Sequence, residues 1–159
     1  MSIVHQVLSL PDIDEVFSYA TRRLELSEPN EQDRTFKSWS AKWRREALEH
    51  YLKLGWSFIA RDEQKLDAAG RPTVVGFFLA QPFLFFQGQT QTLWVEHVEA
   101  DDAKIETALV DVAVRVAREK HLQRVLFGES EKLSGSLKPW PTTPMEDQDK
   151  ISVVKTTKG

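Results

Sequence analysis

An amphipathic helix pattern lying between two strand patterns is the feature that most restricts what this chain can fold into. Residues 90–100 alternate in the manner of a strand, with Leu93, Val95 and His97 on one face and Trp94, Glu96 and Val98 on the other. Ile105, Leu109, Val112 and Val116 then recur at three- and four-residue steps, which predicts a helix over residues 103–120, and residues 123–127 read as another strand. Parallel neighbours need a long connection, whereas antiparallel ones can be joined by a tight turn, so strand, helix, strand predicts a parallel crossover.

Upstream the signals are those of hairpins. Residues 74–86 are rich in Val, Phe and Leu without alternation, as in a strand covered on both faces, and Pro82 predicts a bend or bulge there. Gln87-Gly88-Gln89 predicts the turn into the next strand, and a strand over residues 56–61 is followed by a charged hairpin loop at 62–71 around Ala69-Gly70. At the start, residues 3–10 predict a short strand. Ser9 is a plausible N-cap before Pro11, and Ile13, Val16, Phe17, Ala20 and Leu24 form the apolar stripe of a first helix. Phe36, Trp39, Trp43, Ala47, Tyr51 and Leu54 keep helical spacing and predict one second helix ended by Gly55. Residues 132–149 contain three prolines and read as mostly irregular, with a final short strand at 151–155.

At 159 residues the chain has the size of one domain, taken here as residues 1–159. Its 41% hydrophobic and 28% charged content is that of a folding globular chain. A net charge of -3 argues against nucleic acid as a partner. No segment has the roughly 20 consecutive apolar residues of a spanning helix, so no membrane partner is expected. With no cysteine there is no disulfide, thiolate metal site or cysteine nucleophile, and the first residues lack a signal-peptide pattern, so the chain reads as cytoplasmic.

This order of strand, two helices, three antiparallel strands, helix, strand and tail resembles the GCN5-related N-acetyltransferase (GNAT) family over nearly the whole chain. The resemblance implies an α/β (α+β) fold: a mixed, mostly antiparallel twisted sheet flanked by helices, with a crevice where the fourth and fifth strands splay apart. It also implies acetyl-CoA or another acyl-CoA as cofactor. The fourth strand would carry substrate and cofactor contacts, and the next helix would aim its unpaired N–H groups and positive dipole end at the pyrophosphate. On that basis Val98, Lys104, Ile105 and Thr107 are the cofactor-binding candidates.

The family usually carries Arg/Gln-x-x-Gly-x-Gly/Ala at this junction. Anchored on Ile105 and Leu109, Asp101 takes the Arg/Gln position, and Lys104 and Glu106 take the glycine positions; no glycine occurs between Gly88 and Gly128. The signature is missing. Asp101, Asp102 and Glu106 would set negative charge against a polyphosphate. Two readings of the acidic turn stand open: a helix cap complementing the dipole, or a site for a cation or a basic partner.

Glu96, His97 and Glu99 form the only close carboxylate and imidazole cluster on a predicted core strand. By analogy with family members that use a Glu as general base, Glu96 is the catalytic candidate and His97 a second; alternation sets them on opposite faces unless a bulge intervenes. The resemblance also implies a Tyr or Ser after the fifth strand to protonate the departing thiolate. No Tyr follows Tyr51, and Ser130, Ser134 and Ser136 lie in that stretch. The four histidines sit on separate elements without ligand spacing, so no metal is expected. Phe83, Phe85 and Phe86 suit an apolar pocket or a homodimer patch. The functions in view are a divergent binding or regulatory module with a small-molecule amine or a protein as partner, an active N-acyltransferase with a non-standard cofactor site, and a structural dimer subunit.

Overall fold

The computed structural model describes residues 2–86, 89–143 and 152–156; side chains at 84, 86, 89 and 90 lie outside that description. Five strands, β1 (Ile3–Val7), β2 (Phe58–Leu66), β3 (Pro72–Phe86), β4 (Gln89–Ala100) and β5 (Arg124–Phe127), form one sheet in the order β1-β2-β3-β4-β5. The first three pairings are antiparallel and β4–β5 is parallel, reached through α4 (Ala103–Glu119), so the crossover is present. The hairpin loop is shorter than its charges predict, because β2 continues through Leu66. Gly70, at φ +79°, takes the left-handed position of the remaining turn.

Helices cover both faces of the sheet, which explains why β3 lacks alternation. On one face Phe78, Val95 and Val98 pack under Ile105, Leu109 and Val110 of α4. On the other, Phe77 and Leu79 meet Val16, Tyr19 and Ala20 of α1 (Ile13–Ser27) and Leu48, Tyr51 and Leu52 of α3 (Arg45–Leu52). A single 3-10 turn, Leu10–Asp12, precedes α1; Ser9 is its N-cap, and the Ser9 N–H donates to Asp12 Oδ2 at 2.9 Å. Pro82 pairs with Leu93 beyond the last β2 partner of β3, so its missing N–H leaves no ladder bond unmade.

Two expectations need correction. The stripe from Phe36 to Leu54 is not one helix: α2 (Glu31–Trp39) and α3 are separated by residues 40–44. Trp43 turns inward there, 7% exposed and edge-on to Phe17 at 5.7 Å, while Phe36 and Trp39 stay outside and meet edge to face at 5.1 Å. Arg44 Nη1 donates to the Trp39 carbonyl at 2.9 Å and satisfies one of the acceptors left at the end of α2. Residues 132–143 are irregular apart from one short helix. Ser134–Leu137 forms a short helix, α5, because Leu133 and Leu137 bury themselves against α4. Residues 152–155 form no strand, and Ile151 lies outside the described residues, as do Gln87 and Gly88 of the anticipated turn.

Gly76 allows a close approach of α4 to the sheet. A Cβ there would lie 2.8 Å from the Glu99 carbonyl oxygen and 2.8 Å from Leu109 Cδ1. Gly76→Ala should therefore cost about 1–3 kcal/mol, read as a lower urea midpoint at unchanged m-value. An unchanged midpoint would mean that both α4 and the Glu99 carbonyl give way freely.

Candidate functional site

The strands β4 and β5 stay paired from Thr92↔Arg124 to Val95↔Phe127, and Gly128 N–H adds one more bond to the Val95 carbonyl at 3.0 Å. Beyond that point the chain after β5 turns away, so residues 96–100 of β4 have no strand partner on that side among the described residues. This is the splay, and a bulge sits at its mouth. Leu79 pairs with His97 but Ala80 pairs with Val95, which leaves Glu96 as an extra residue.

The extra residue changes which side chains share a face. His97 lies against Phe77, with ring centroids 5.8 Å apart, on the α1–α3 side, whereas Val98 lies in the core under α4. Alternation had paired His97 with Val95, and Val98 with Trp94 and Glu96; the bulge reverses both. Glu96 and His97 therefore line the same side of the sheet. Glu96 Oε2 accepts from Trp94 Nε1 at 2.6 Å and from the Tyr51 hydroxyl at 3.3 Å. Burial and the Glu96 charge push the Tyr51 hydroxyl up to about 12, so it remains protonated and donating.

His97 is 8% exposed, and its Nδ1 is 2.8 Å from Glu129 Oε1. Its Nε2 faces Glu99 Oε2 at 3.6 Å, a charge contact beyond hydrogen-bond reach. Burial opposes a charged imidazole, but the attraction of Glu129 and Glu99 outweighs it and raises the His97 pKa. Glu129 shows the same balance from the other side: burial favours its neutral form, yet the bond to His97 holds its carboxyl down to about 2. The Glu99 pKa is lowered too, against its burial, by His97 and Lys132. Arg23 Nε, 3.8 Å from Glu99 Oε1, completes a cluster of alternating charge.

Two members of the cluster occupy the backbone edge of the splay. The Val98 N–H donates to Glu129 Oε1 at 3.4 Å, and the Val98 carbonyl accepts from Lys132 Nζ at 2.7 Å. Lys132 also reaches Glu99 Oε2 at 3.3 Å. Neither Glu129 nor Lys132 was singled out from the sequence. The one available signal was position, since charged residues just past the carboxyl end of a parallel strand lie where α/β sheets place ligands.

At the start of α4 the acidic turn is a cap. Asp102 Oδ1 accepts the Ile105 N–H at 2.9 Å, and Asp101 Oδ1 lies 2.8 Å from the Tyr19 hydroxyl, which is also 2.9 Å from the Val75 carbonyl. Glu106 Oε1 accepts from Ser136 Oγ at 2.7 Å, and Ser136 in turn meets Thr107 Oγ1 at 3.1 Å. Of the cofactor-binding candidates, Val98 and Ile105 are core side chains whose N–H groups are engaged, Thr107 is bonded to α5 and to the Ala103 carbonyl, and Lys104 is exposed. This donor set does not fit a pyrophosphate in the family manner: an N–H at the helix start is already capped, and carboxylates stand on either side of Lys104. Of the three serines, Ser136 is 2% exposed and committed to Glu106. Among the described residues no group of three or more His, Asp or Glu is arranged to hold a metal ion, and no helix is long and apolar enough to cross a membrane.

No protein-family model and no curated protein matches the sequence. Solved structures do. A predicted acetyltransferase with acetyl-CoA from Clostridium acetobutylicum superposes with a TM-score of 0.63 at 14% identity, covering 96% of each chain. A probable acetyltransferase gives 0.61 at 14% identity over 99% of this chain and 100% of that one. The PaiA N-acetyltransferase from Thermoplasma acidophilum in complex with coenzyme A gives 0.60 at 15% identity over 87% of this chain and 89% of that one. The five-stranded mixed sheet, the β4–α4–β5 crossover and the splay after Val95 together are the GCN5-related N-acetyltransferase fold.

Proposed function

We propose that this chain is an acetyltransferase-like protein whose cofactor crevice is closed by its own side chains, and that it works as a binding or regulatory module. The observation that carries this reading is the occupation of both Val98 backbone groups by Glu129 and Lys132. An acyl-CoA held along β4 would have to displace a half-buried ion-paired carboxylate from His97 before it could use the Val98 N–H. It would also meet the carboxylates at the start of α4, where the capped turn offers one exposed lysine. Support for acyl-CoA as a ligand comes from the fold alone, through neighbours solved with acetyl-CoA or coenzyme A.

Calorimetric titration of the intact chain with acetyl-CoA and with CoA tests the reading. The expected result is no saturable heat at ligand concentrations of about 1 mM, a limit on the order of -4 kcal/mol. Micromolar binding would overturn it and favour the enzyme, an N-acyltransferase with Glu96, held by Trp94 and Tyr51, as the base acting on an amine.

A further inference from the structure

A groove of about 660 Å³ runs between α1, α2 and the start of α3, and it shares no lining residue with the β4–β5 crevice. Its walls are apolar: Phe17 and Leu24 from α1, Trp39 from the end of α2, and Trp43 from the link into α3. Trp39 is 63% exposed, a large aromatic surface left in water beside a concavity of ordinary small-molecule size.

The polar groups around the groove decide what it can hold. Its three arginines are all engaged. Arg34 Nη1 donates to the Glu28 and Pro29 carbonyls, Arg44 to the Trp39 carbonyl with Glu46 at 3.4 Å, and Arg45 pairs with Asp14 and lies over the Phe17 ring. Its hydroxyls are bonded back to their own helices: Thr21 to the Phe17 carbonyl, Thr35 to Glu31 and Ser38 to Thr35. Glu46 and Asp14 offset Arg44 and Arg45, Arg34 meets only neutral carbonyls and keeps its charge, and two carboxylates remain. Glu25 and Glu31, one on each flanking helix, have no counter-ion or hydrogen-bond partner among the described residues. Aromatic faces with uncommitted carboxylates attract positive charge on an apolar body, since ring quadrupole and carboxylate act in the same direction.

We infer that this groove is a binding site for a lipophilic organic cation, such as a quaternary ammonium ion, with Trp39 and Trp43 against its apolar part and Glu25 and Glu31 near its charge. The site stands whether or not the crevice takes acyl-CoA, because a quaternary ammonium has no proton to lose and no nitrogen lone pair to acylate.

The experiment is a titration of the intact chain with benzyltrimethylammonium, followed by calorimetry and tryptophan fluorescence, with benzyl alcohol as the neutral probe and phenylacetate as the anionic one. The cation is expected to saturate, and each of the other two to bind at least about tenfold more weakly. Trp39→Ala and the double variant Glu25→Gln with Glu31→Gln change only exposed side chains. Each should weaken cation binding by about tenfold with an unchanged circular dichroism spectrum. Equal binding of benzyl alcohol would overturn the assignment, as would no saturation by the cation or full affinity in the glutamine variant.

Discussion

The His97→Ala variant is expected to unfold about 3 kcal/mol more easily than the parent chain, because truncation leaves the Glu129 carboxylate half-buried without its ion-pair partner. The pH dependence distinguishes this loss from a simple cavity. The His97 pKa is raised above its ordinary 6.5, so its stabilisation is complete below 6.5 and is lost as pH rises through the raised folded-state value. Glu129 is held down to about 2 from 4.5, so its stabilisation is complete above 4.5 and is lost as pH falls toward 2. Both contributions are whole only between pH 4.5 and 6.5. Urea unfolding of parent and variant across the acid and alkaline ranges should give the widest gap in that window and a narrower one on either side. A gap of constant size at every pH would mean that the pair contributes packing and not charge.

The second large effect lies beneath the site. Phe77 is fully buried and is the floor of the cluster, with Tyr19 edge-on at 6.0 Å and the His97 ring at 5.8 Å. Phe77→Ala removes a ring from between α1 and β4 and should cost about 4 kcal/mol, the lost transfer energy plus the cavity left behind. Because the ring also keeps water from His97, the variant's pH dependence should flatten along with its stability. Thermal unfolding of the two chains in parallel checks both, and a loss below about 1 kcal/mol would show that α1 collapses into the space at little cost.

How much of this was legible beforehand follows from which forces are local. The run from β3 through β5 is readable because Ile105, Leu109, Val112 and Val116 repeat at one period and β3 is apolar on both faces, and both patterns are direct consequences of burial. The break between α2 and α3 is not. Trp43 fits a helical stripe equally well whether it continues the helix or turns inward to meet Phe17, and only tertiary packing decides. The capped start of α4 was one of two open readings of the acidic turn, since Asp102 to Ile105 is a contact three residues long. The contacts around His97 were not legible, because Glu129 lies 32 residues away and reaches it only once β5 has been laid beside β4.

The extra residue at Glu96 has a consequence for comparing this chain with others. A strand is a two-letter alternation, and one additional residue flips its parity from that point on. Sequence comparison that slides β4, without a gap there, along a strand of plain alternation will set His97 against an interior apolar position and Val98 against a polar one. Divergence would then be inferred where the three-dimensional environments agree. Counting from the apolar residues of β4 toward the start of α4 carries the same offset, so correspondences at this junction are best fixed by facing and depth.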